Sequence, residues 1–249
     1  MAYRPKIGIT MRLEHETNRF YLGRDYSEGL EAFGATPIHI GLIPNREYVA
    51  DLMSTLDGVM LPGSASDIDP YRYGEDPHPK LGRVIPEKDE IDLLVLAEAE
   101  RLGMPVFGIC FGMQSLNISR GGSLIQDIES QVDEPVQHQQ GIPRDRNSHS
   151  IRVEPESLLE KALGVDAQTV KVNSHHHQSI RNIGKNLRAT AWANDGIVEA
   201  IEDDREGRIV IGVQWHPELS WKNDTLSGNL FSFFVESCRL SWNAKAGGS

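Results

Sequence analysis

The chain has 249 residues, of which 39% are hydrophobic, and a formal net charge of -11 at pH 7. This length suits one large globular domain or two small ones, and the negative charge argues against nucleic acid or an anionic membrane surface as a partner. No apolar run approaches the roughly 18 residues that span a bilayer, and two cysteines cannot form a disulfide framework, so we expect a cytoplasmic protein.

In the first half of the chain, short β-branched runs alternate with longer amphipathic stretches. This alternation predicts an α/β fold with a mostly parallel central sheet and helices on both faces. A long segment at 62–86 is expected to lie over the functional site, because loops of that length are usually functional. The predicted strands are 6–10, 36–40, 57–61 and 104–109, and the predicted helices are 22–33, 47–54, 87–102 and 111–120.

The second half of the chain is richer in strands, and we expect additional antiparallel strands there. No linker separates two domains, so one domain is predicted over residues 1–242, followed by a disordered tail at 243–249. The predicted strands are 148–153, 168–172, 187–192, 197–201 and 209–214, and the predicted closing helix is 226–240.

A thiol stands where the strand predicted at 104–109 gives way to a helix. Cys110 lies between Gly108 and Gly112, at the carboxyl end of a parallel strand, where such sheets bind ligands. The amide of Phe111 would stabilise the oxyanion that forms when the sulfur attacks a carbonyl. The alternative is a small buried hydrophobic residue that ends a strand; the Gly-x-Cys-x-Gly setting favours a nucleophile.

An imidazole and a carboxylate follow the strand predicted at 209–214. His216 and Glu218 stand two positions apart, so both side chains face the same way in an extended chain. The carboxylate would orient the imidazole, which would act as the base for Cys110. A His-Pro-Glu tripeptide on its own is more often a surface turn; together with Cys110 it indicates a Cys-His-Glu hydrolase.

The turn after the strand predicted at 57–61 leaves the sheet at the same edge as Cys110. The amide of Ser64 in this turn would supply a second oxyanion donor. Pro62 and Gly63 alone would mark a turn in any protein, so this assignment depends on the other motifs.

Four motifs occur in an order that resembles the class I glutamine amidotransferase superfamily. They are Leu-Pro-Gly-Ser at 61–64, Gly-Ile-Cys-x-Gly-x-Gln at 108–114, Val-Asn-Ser-x-His-His-Gln at 172–178 and Gly-Val-Gln-Trp-His-Pro-Glu at 212–218. Within this superfamily, the chain is most similar to the gamma-glutamyl-gamma-aminobutyrate hydrolases, over about residues 6–240. The resemblance implies a flavodoxin-like fold.

The resemblance also implies roles for individual residues. Cys110 would be the nucleophile, His216 the base and then the acid, and Glu218 the residue that orients the imidazole. The amides of Ser64 and Phe111 would form the oxyanion hole. The residues implied to bind or surround the substrate are Gly63, Gln114, Asn173, Ser174, His176 and His177.

The expected reaction is hydrolysis of a gamma-glutamyl amide to glutamate and a free amine through a thioester, without a cofactor. The amine stays open between gamma-aminobutyrate, a polyamine and another amino compound, and so does the oligomeric state, a homodimer included. Two alternatives are a glutaminase that supplies ammonia to a separate synthetase and a non-catalytic binding module of the same fold. The presence of all three triad residues argues against the binding module.

Two positions depart from the subgroup. Phe111 stands directly after the nucleophile, where many of these hydrolases have arginine, and Lys88 stands where the family often has arginine. The loss of a cation beside the substrate is expected to change the preference for the leaving group.

Three consecutive histidines, residues 175–177, raise a metal hypothesis. Consecutive side chains project in different directions and cannot easily converge on one tetrahedral ion, so no metal site is predicted. His138 and His149 are predicted to be solvated loop residues.

Overall fold

Strands and helices alternate through the first half of the chain, as predicted. The computed structural model describes residues 3–164 and 169–247. The elements are β1 Lys6–Thr10, β2 Arg12–Glu14, β3 Arg19–Tyr21, α1 Arg24–Ala32, β4 Thr36–Ile40, α2 Arg46–Ser54, β5 Gly58–Leu61, a 3-10 helix Pro70–Tyr73, α3 Pro86–Leu102, β6 Val106–Ile109 and α4 Phe111–Ser119.

The second half supplies most of the antiparallel strands. The structure has helix where a disordered tail was predicted at 243–249, because α7 continues to Gly247 through alanine and lysine, which favour helix. Residues 248 and 249 lie outside the described residues. Residue 168, the first residue of the strand predicted at 168–172, lies outside them as well. The elements are β7 Ser123–Ile125, α5 Ile128–Gln131, β8 His149–Val153, α6 Leu158–Leu163, β9 Thr169–Val172, β10 Ser179–Asn182, β11 Leu187–Ala193, β12 Val198–Asp203, β13 Val210–Val213, a 3-10 helix Pro217–Leu219 and α7 Thr225–Gly247.

Within the described part of the chain, the central sheet has nine strands in the order β4-β1-β5-β6-β13-β12-β11-β8-β9. Neighbours from β4 to β13 run parallel, and neighbours from β13 to β9 run antiparallel. This confirms the predicted α/β fold with its additional antiparallel strands. Because β13 lies beside β6, its carboxyl end reaches the same edge of the sheet as the ends of β5 and β6.

Two hydrophobic clusters cover the two faces of the sheet. One contains Phe107 and Phe231 and involves α1, α6 and α7, whereas the other contains Val106 and Met113 and involves α2, α3 and α4. Adjacent strand residues such as Val106 and Phe107 point to opposite faces, so each face requires its own helical cover. Among the described residues, no helix combines the length and the apolar character that crossing a bilayer requires.

Lys88 and Phe111, which both depart from the subgroup pattern, pack against each other beneath the start of α4. The Nζ atom of Lys88 lies 5.2 Å from the centroid of the Phe111 ring. It donates hydrogen bonds to the hydroxyl of Thr10 (3.0 Å) and to the carboxylate of Asp92. Lys88 and Asp92 are both fully buried, so each charge depends on the other. The Phe111 ring therefore belongs to the core.

Asp89 lies on the same turn of α3 and anchors the long segment at 62–86. Its carboxylate accepts a hydrogen bond from the amide of Asp69 (3.0 Å), and the residue is 2% exposed. Burial raises the pKa of Asp89 to about 7. The folded protein therefore holds this proton more tightly than the unfolded chain, in which an aspartate titrates near pH ~3.9.

Replacing Asp89 by asparagine is expected to weaken the pH dependence of stability. The pKa of Asp89 is about 7 in the folded protein, so the protonated carboxyl group stabilises the folded wild-type protein at low pH. This stabilisation is lost as the pH rises from ~3.9, the pKa of an aspartate in the unfolded chain, through 7. The free energy of unfolding of Asp89→Asn should therefore gain about 2 kcal/mol relative to wild type between pH 5 and pH 7. Urea denaturation across this range measures the difference. The exposed Asp51→Asn serves as the control, and parallel pH curves for Asp89→Asn and wild type would contradict the expectation.

Candidate active site

Cys110 occupies a sharp turn between β6 and α4. Its backbone has φ 52° and ψ -106°, a conformation that a residue other than glycine rarely adopts. A Cβ atom on Gly112 would lie 2.1 Å from the carbonyl oxygen of Leu61, so only glycine lets α4 start this close to the end of β5. The turn thus holds the thiol at the sheet edge with 5% of the residue exposed.

His216 and Glu218 form a hydrogen-bonded pair directly after β13. The Nδ1 atom of His216 lies 2.7 Å from the Oε1 atom of Glu218, and both side chains are buried. Because a carboxylate only accepts hydrogen bonds, Nδ1 carries the proton that it donates. Among the described residues, the Nε2 atom of His216 has no hydrogen-bond partner. Nε2 is therefore available to exchange a proton with a neighbour.

The neighbour of His216 is Cys110. The parallel register pairs Val213 with Ile109, and the amide of Cys110 donates to the carbonyl of Val213 at 2.7 Å. A Cβ atom on Gly63 would lie 2.9 Å from Cε1 of His216 and 3.5 Å from Cβ of Cys110. The imidazole and the thiol thus meet beside Gly63, which has to be a glycine to leave room for both.

The charges of this group favour a protonated imidazole. Burial opposes charge on His216, but the carboxylate of Glu218 and the thiolate form of Cys110 together raise its pKa to about 10. Burial likewise opposes charge on Glu218, whereas the His216 imidazolium lowers the pKa of this carboxyl group. This electrostatic arrangement suits a thiolate-imidazolium pair.

The amides of Ser64 and Phe111, the predicted oxyanion donors, belong to residues that line the cavity at the thiol. Phe111 is the first residue of α4, so its N–H has no acceptor within the helix. The amide of Ser64 likewise donates no hydrogen bond within the described part of the chain. Ser64, Cys110 and Phe111 line one cavity of about 260 Å³. An oxyanion formed at Cys110 would therefore lie in a cavity to which both residues contribute.

A second cavity, of about 410 Å³, shares part of its wall with the 260 Å³ cavity. Gln139, His176 and His177 line both of them. Only the start of the long segment at 62–86 contributes to the wall of the first cavity, through residues 64–67. Residues 68–86 are not among the residues that line this cavity, and a bridge between Asp67 and Val84 pairs the two ends of this part of the chain.

Three of the six predicted substrate-binding residues line the cavity, namely Gln114, His176 and His177. The side chain of Gln114 donates to the carbonyl of Gln178 and to the side chain of Gln214, both at 3.2 Å. The Nε2 atom of His177 lies 2.9 Å from the carboxylate of Asp67. Each of these polar side chains is thus held in place by a neighbour before any ligand arrives.

The other three residues fix the backbone around the site instead of lining it. Asn173 clamps His216, because its side chain accepts from the amide and donates to the carbonyl of that residue, each at 2.8 Å. Ser174 donates to the carbonyl of His138 at 2.7 Å. The amide of Gly63 donates to the hydroxyl of Tyr26 at 3.1 Å, so it is not free for a ligand.

Two residues of the site, Gln214 and Tyr26, were not predicted from the sequence. The side-chain amide of Gln214 donates to the sulfur of Cys110 at 3.5 Å. Its spacing of two from His216 places both on one side of the extended chain, a signal that could have revealed it. Tyr26 is buried in α1, and its hydroxyl also accepts from the guanidinium of Arg12 at 3.0 Å. A tyrosine in an amphipathic helix carries no comparable signal.

The predicted solvent exposure of His138 and His149 is wrong. The side chains of these histidines are 3% and 9% exposed, because both pack against the buried carboxylate of Glu199. The segment that carries His138 is polar and contains proline, a composition typical of an exposed loop. Its burial depends on Glu199 of β12, a strand that is distant in the sequence.

Comparisons with known proteins agree with this fold and this site. The peptidase C26 family model matches residues 5–218. The glutamine amidotransferase-like protein YvdE of Lactococcus lactis is 36% identical over 216 residues, covering 86% of this chain and 88% of the relative. Gamma-glutamyl-gamma-aminobutyrate hydrolase PuuD of Escherichia coli is 32% identical over 248 residues, covering 94% of each chain.

A solved structure from Thermoplasma acidophilum, described as a subunit of GMP synthase, shares the fold. It has a TM-score of 0.66 and 16% sequence identity, covering 99% of this chain and 100% of the other. The fold and the family matches therefore define a class I glutamine amidotransferase-like hydrolase. The chain belongs to the peptidase C26 family.

Proposed function

We propose that the protein cleaves the gamma-glutamyl amide bond of a gamma-glutamyl amine, releasing glutamate and the free amine. The observation that carries this proposal is the state of His216. Its Nδ1 atom is held by Glu218, and its Nε2 atom is left without a partner beside Cys110. This is the arrangement in which a third group orients a base toward a nucleophile.

The reaction would proceed in two stages. The Cys110 thiolate attacks the gamma-carbonyl carbon, and the oxyanion is stabilised by the amides of Ser64 and Phe111. The protonated His216 gives its proton to the departing amine, which leaves a thioester on Cys110. His216 then takes a proton from water, whose oxygen attacks the thioester, and the sulfur leaves as the thiolate while glutamate is released.

The shape of the cavities supports a substrate larger than glutamine. The cavity at Cys110 has a volume of about 260 Å³, and a second cavity of about 410 Å³ shares Gln139, His176 and His177 with it. The glutamyl group would occupy the first cavity beside Gln114, and the amine would extend into the second. The name of the Escherichia coli relative points to the same class of substrate. A free thiol nucleophile also suits the reducing cytoplasm.

A panel of gamma-glutamyl amides tests the proposal. Glutamine, gamma-glutamyl-gamma-aminobutyrate, a gamma-glutamyl diamine and an alpha-glutamyl amide are supplied in turn, and glutamate release is measured. We expect the gamma-glutamyl amines to exceed glutamine in kcat/KM by at least about tenfold, since the larger amines gain contacts in the second cavity. The alpha-glutamyl amide is the negative control. Hydrolysis of glutamine alone would contradict the proposal and favour ammonia supply.

A further inference from the structure

A group of histidines surrounds one buried carboxylate behind the wall of the second cavity. The carboxylate belongs to Glu199 of β12, whose side chain is 0% exposed. Around it lie His138 from the segment before β8, His149 at the start of β8 and His176 from the segment after β9. Glu199 forms no ion pair with a lysine or arginine anywhere in residues 3–164 and 169–247. A fully buried carboxylate requires a positive partner.

Three imidazole nitrogens lie within 3.5 Å of one carboxylate oxygen of Glu199. From its Oε1 atom, Nε2 of His149 lies at 3.1 Å, Nδ1 of His138 at 3.3 Å and Nε2 of His176 at 3.5 Å. Only the His149 contact has hydrogen-bond geometry, and the other two nitrogens have no partner among the described residues. A tetrahedral ion with bonds of about 2.0–2.1 Å holds its ligand atoms about 3.3–3.4 Å apart.

The opposite nitrogens of two rings determine which atoms carry protons. The Nδ1 atom of His176 lies 2.9 Å from the carbonyl oxygen of Gln178, which can only accept, so this nitrogen carries the proton. In the neutral ring, Nε2 of His176 is then a bare lone pair that faces a carboxylate oxygen. In His138, the Nε2 atom lies 2.9 Å from the carboxylate of Asp195 and therefore carries a proton. The lone pair of His176 and the facing oxygen of Glu199 repel each other unless a proton or a cation lies between them.

Such outer hydrogen bonds are also what metal-binding histidines have. A carboxylate or a carbonyl on the far nitrogen fixes the tautomer and orients the ring toward the ion. Asp195 serves His138 in this way.

We propose that His138, His149 and Glu199 bind a zinc ion. The ligand atoms of these three residues lie within 4.8 Å of one another. Imidazole nitrogens with one carboxylate oxygen suit zinc, and three protein ligands leave the fourth position to water. The second cavity, which His138 lines, gives the ion an entrance. The ion would tie β8 and β12 to the segment before β8 that carries His138.

The metal content of a Cys110→Ala protein tests this proposal. This background is used because the thiol of Cys110 could itself bind zinc together with His216. The protein is treated with a chelator, incubated with zinc chloride, passed through a desalting column and measured by mass spectrometry of the metal. We expect about one zinc per chain, an affinity at least about tenfold weaker in the added His149→Ala, and no change in the added His39→Ala, an exposed control. Less than a tenth of an equivalent, or equal binding by the His149→Ala protein, would overturn the proposal.

Cobalt gives a second readout that needs no further variant. Bound to the Cys110→Ala protein, cobalt chloride should produce the visible absorption of a four-coordinate site, and zinc should abolish it. A spectrum equal to that of aqueous cobalt would mean that the histidines form a metal-free hydrogen-bond network, and the proposal would fail. Neither measurement uses turnover, so the result is independent of the proposed reaction.

Discussion

Replacing Cys110 by alanine is expected to reduce kcat on gamma-glutamyl amines by on the order of 10⁴-fold or more. The thiolate makes the bond that defines the intermediate, and neither His216 nor the backbone amides can substitute for it. The fold should survive, since alanine removes one sulfur atom from a site that is 5% exposed. We expect the free energy of unfolding to change by about 1 kcal/mol at most. Steady-state kinetics and urea denaturation measure the two effects.

Cys238 provides a matched control for this experiment. It is the second free cysteine of the chain, it is fully buried in α7, and burial raises its pKa well above the usual range. Cys238→Ala should keep its activity and its rapid alkylation by iodoacetamide, whereas Cys110→Ala should lose both. Turnover by Cys110→Ala close to that of wild type would refute the assignment of the nucleophile.

Much of the fold could be predicted because the buried strands of a parallel sheet appear in the sequence as short hydrophobic runs. The predicted strands 6–10 and 36–40 coincide with β1 and β4, since each is a short run with three β-branched residues. The β2–β3 hairpin and the β7–β10 pair were not predicted. Their strands have three or four residues each, too few to establish a period.

The proximity of Cys110 to His216 could be predicted for a topological reason. Both follow strands of one parallel sheet, and the carboxyl ends of such strands share an edge. The functions of Asn173 and Ser174 could not be derived in this way, because their partners are backbone groups of distant residues. Local polarity also led to the wrong prediction that His138 is exposed to solvent. Its burial depends on Glu199, which lies 61 positions further along the chain. Catalysis by the triad stays a prediction that kinetics must test.

Replacing His216 by alanine is expected to reduce kcat by on the order of 10³-fold and to slow the alkylation of the thiol at pH 7. The variant lacks both the charge that stabilises the thiolate and the acid that protonates the leaving amine. In the wild-type protein, the pKa of His216 is about 10. The imidazole therefore keeps its proton below that pH and loses it above. We expect kcat/KM to fall as the pH rises through 10.

Glu218→Gln separates orientation from proton transfer. Glutamine can still accept from Nδ1 of His216 at the position where Oε1 now lies at 2.7 Å, but it carries no charge. Without the carboxylate, the pKa of His216 should fall, so the alkaline limb of the kcat/KM profile should move to lower pH while part of the turnover remains. The exposed His39→Ala should leave the profile unchanged. If Glu218→Gln and wild type share one alkaline limb, Glu218 does not set the protonation of His216, and the Cys-His-Glu assignment loses its third member.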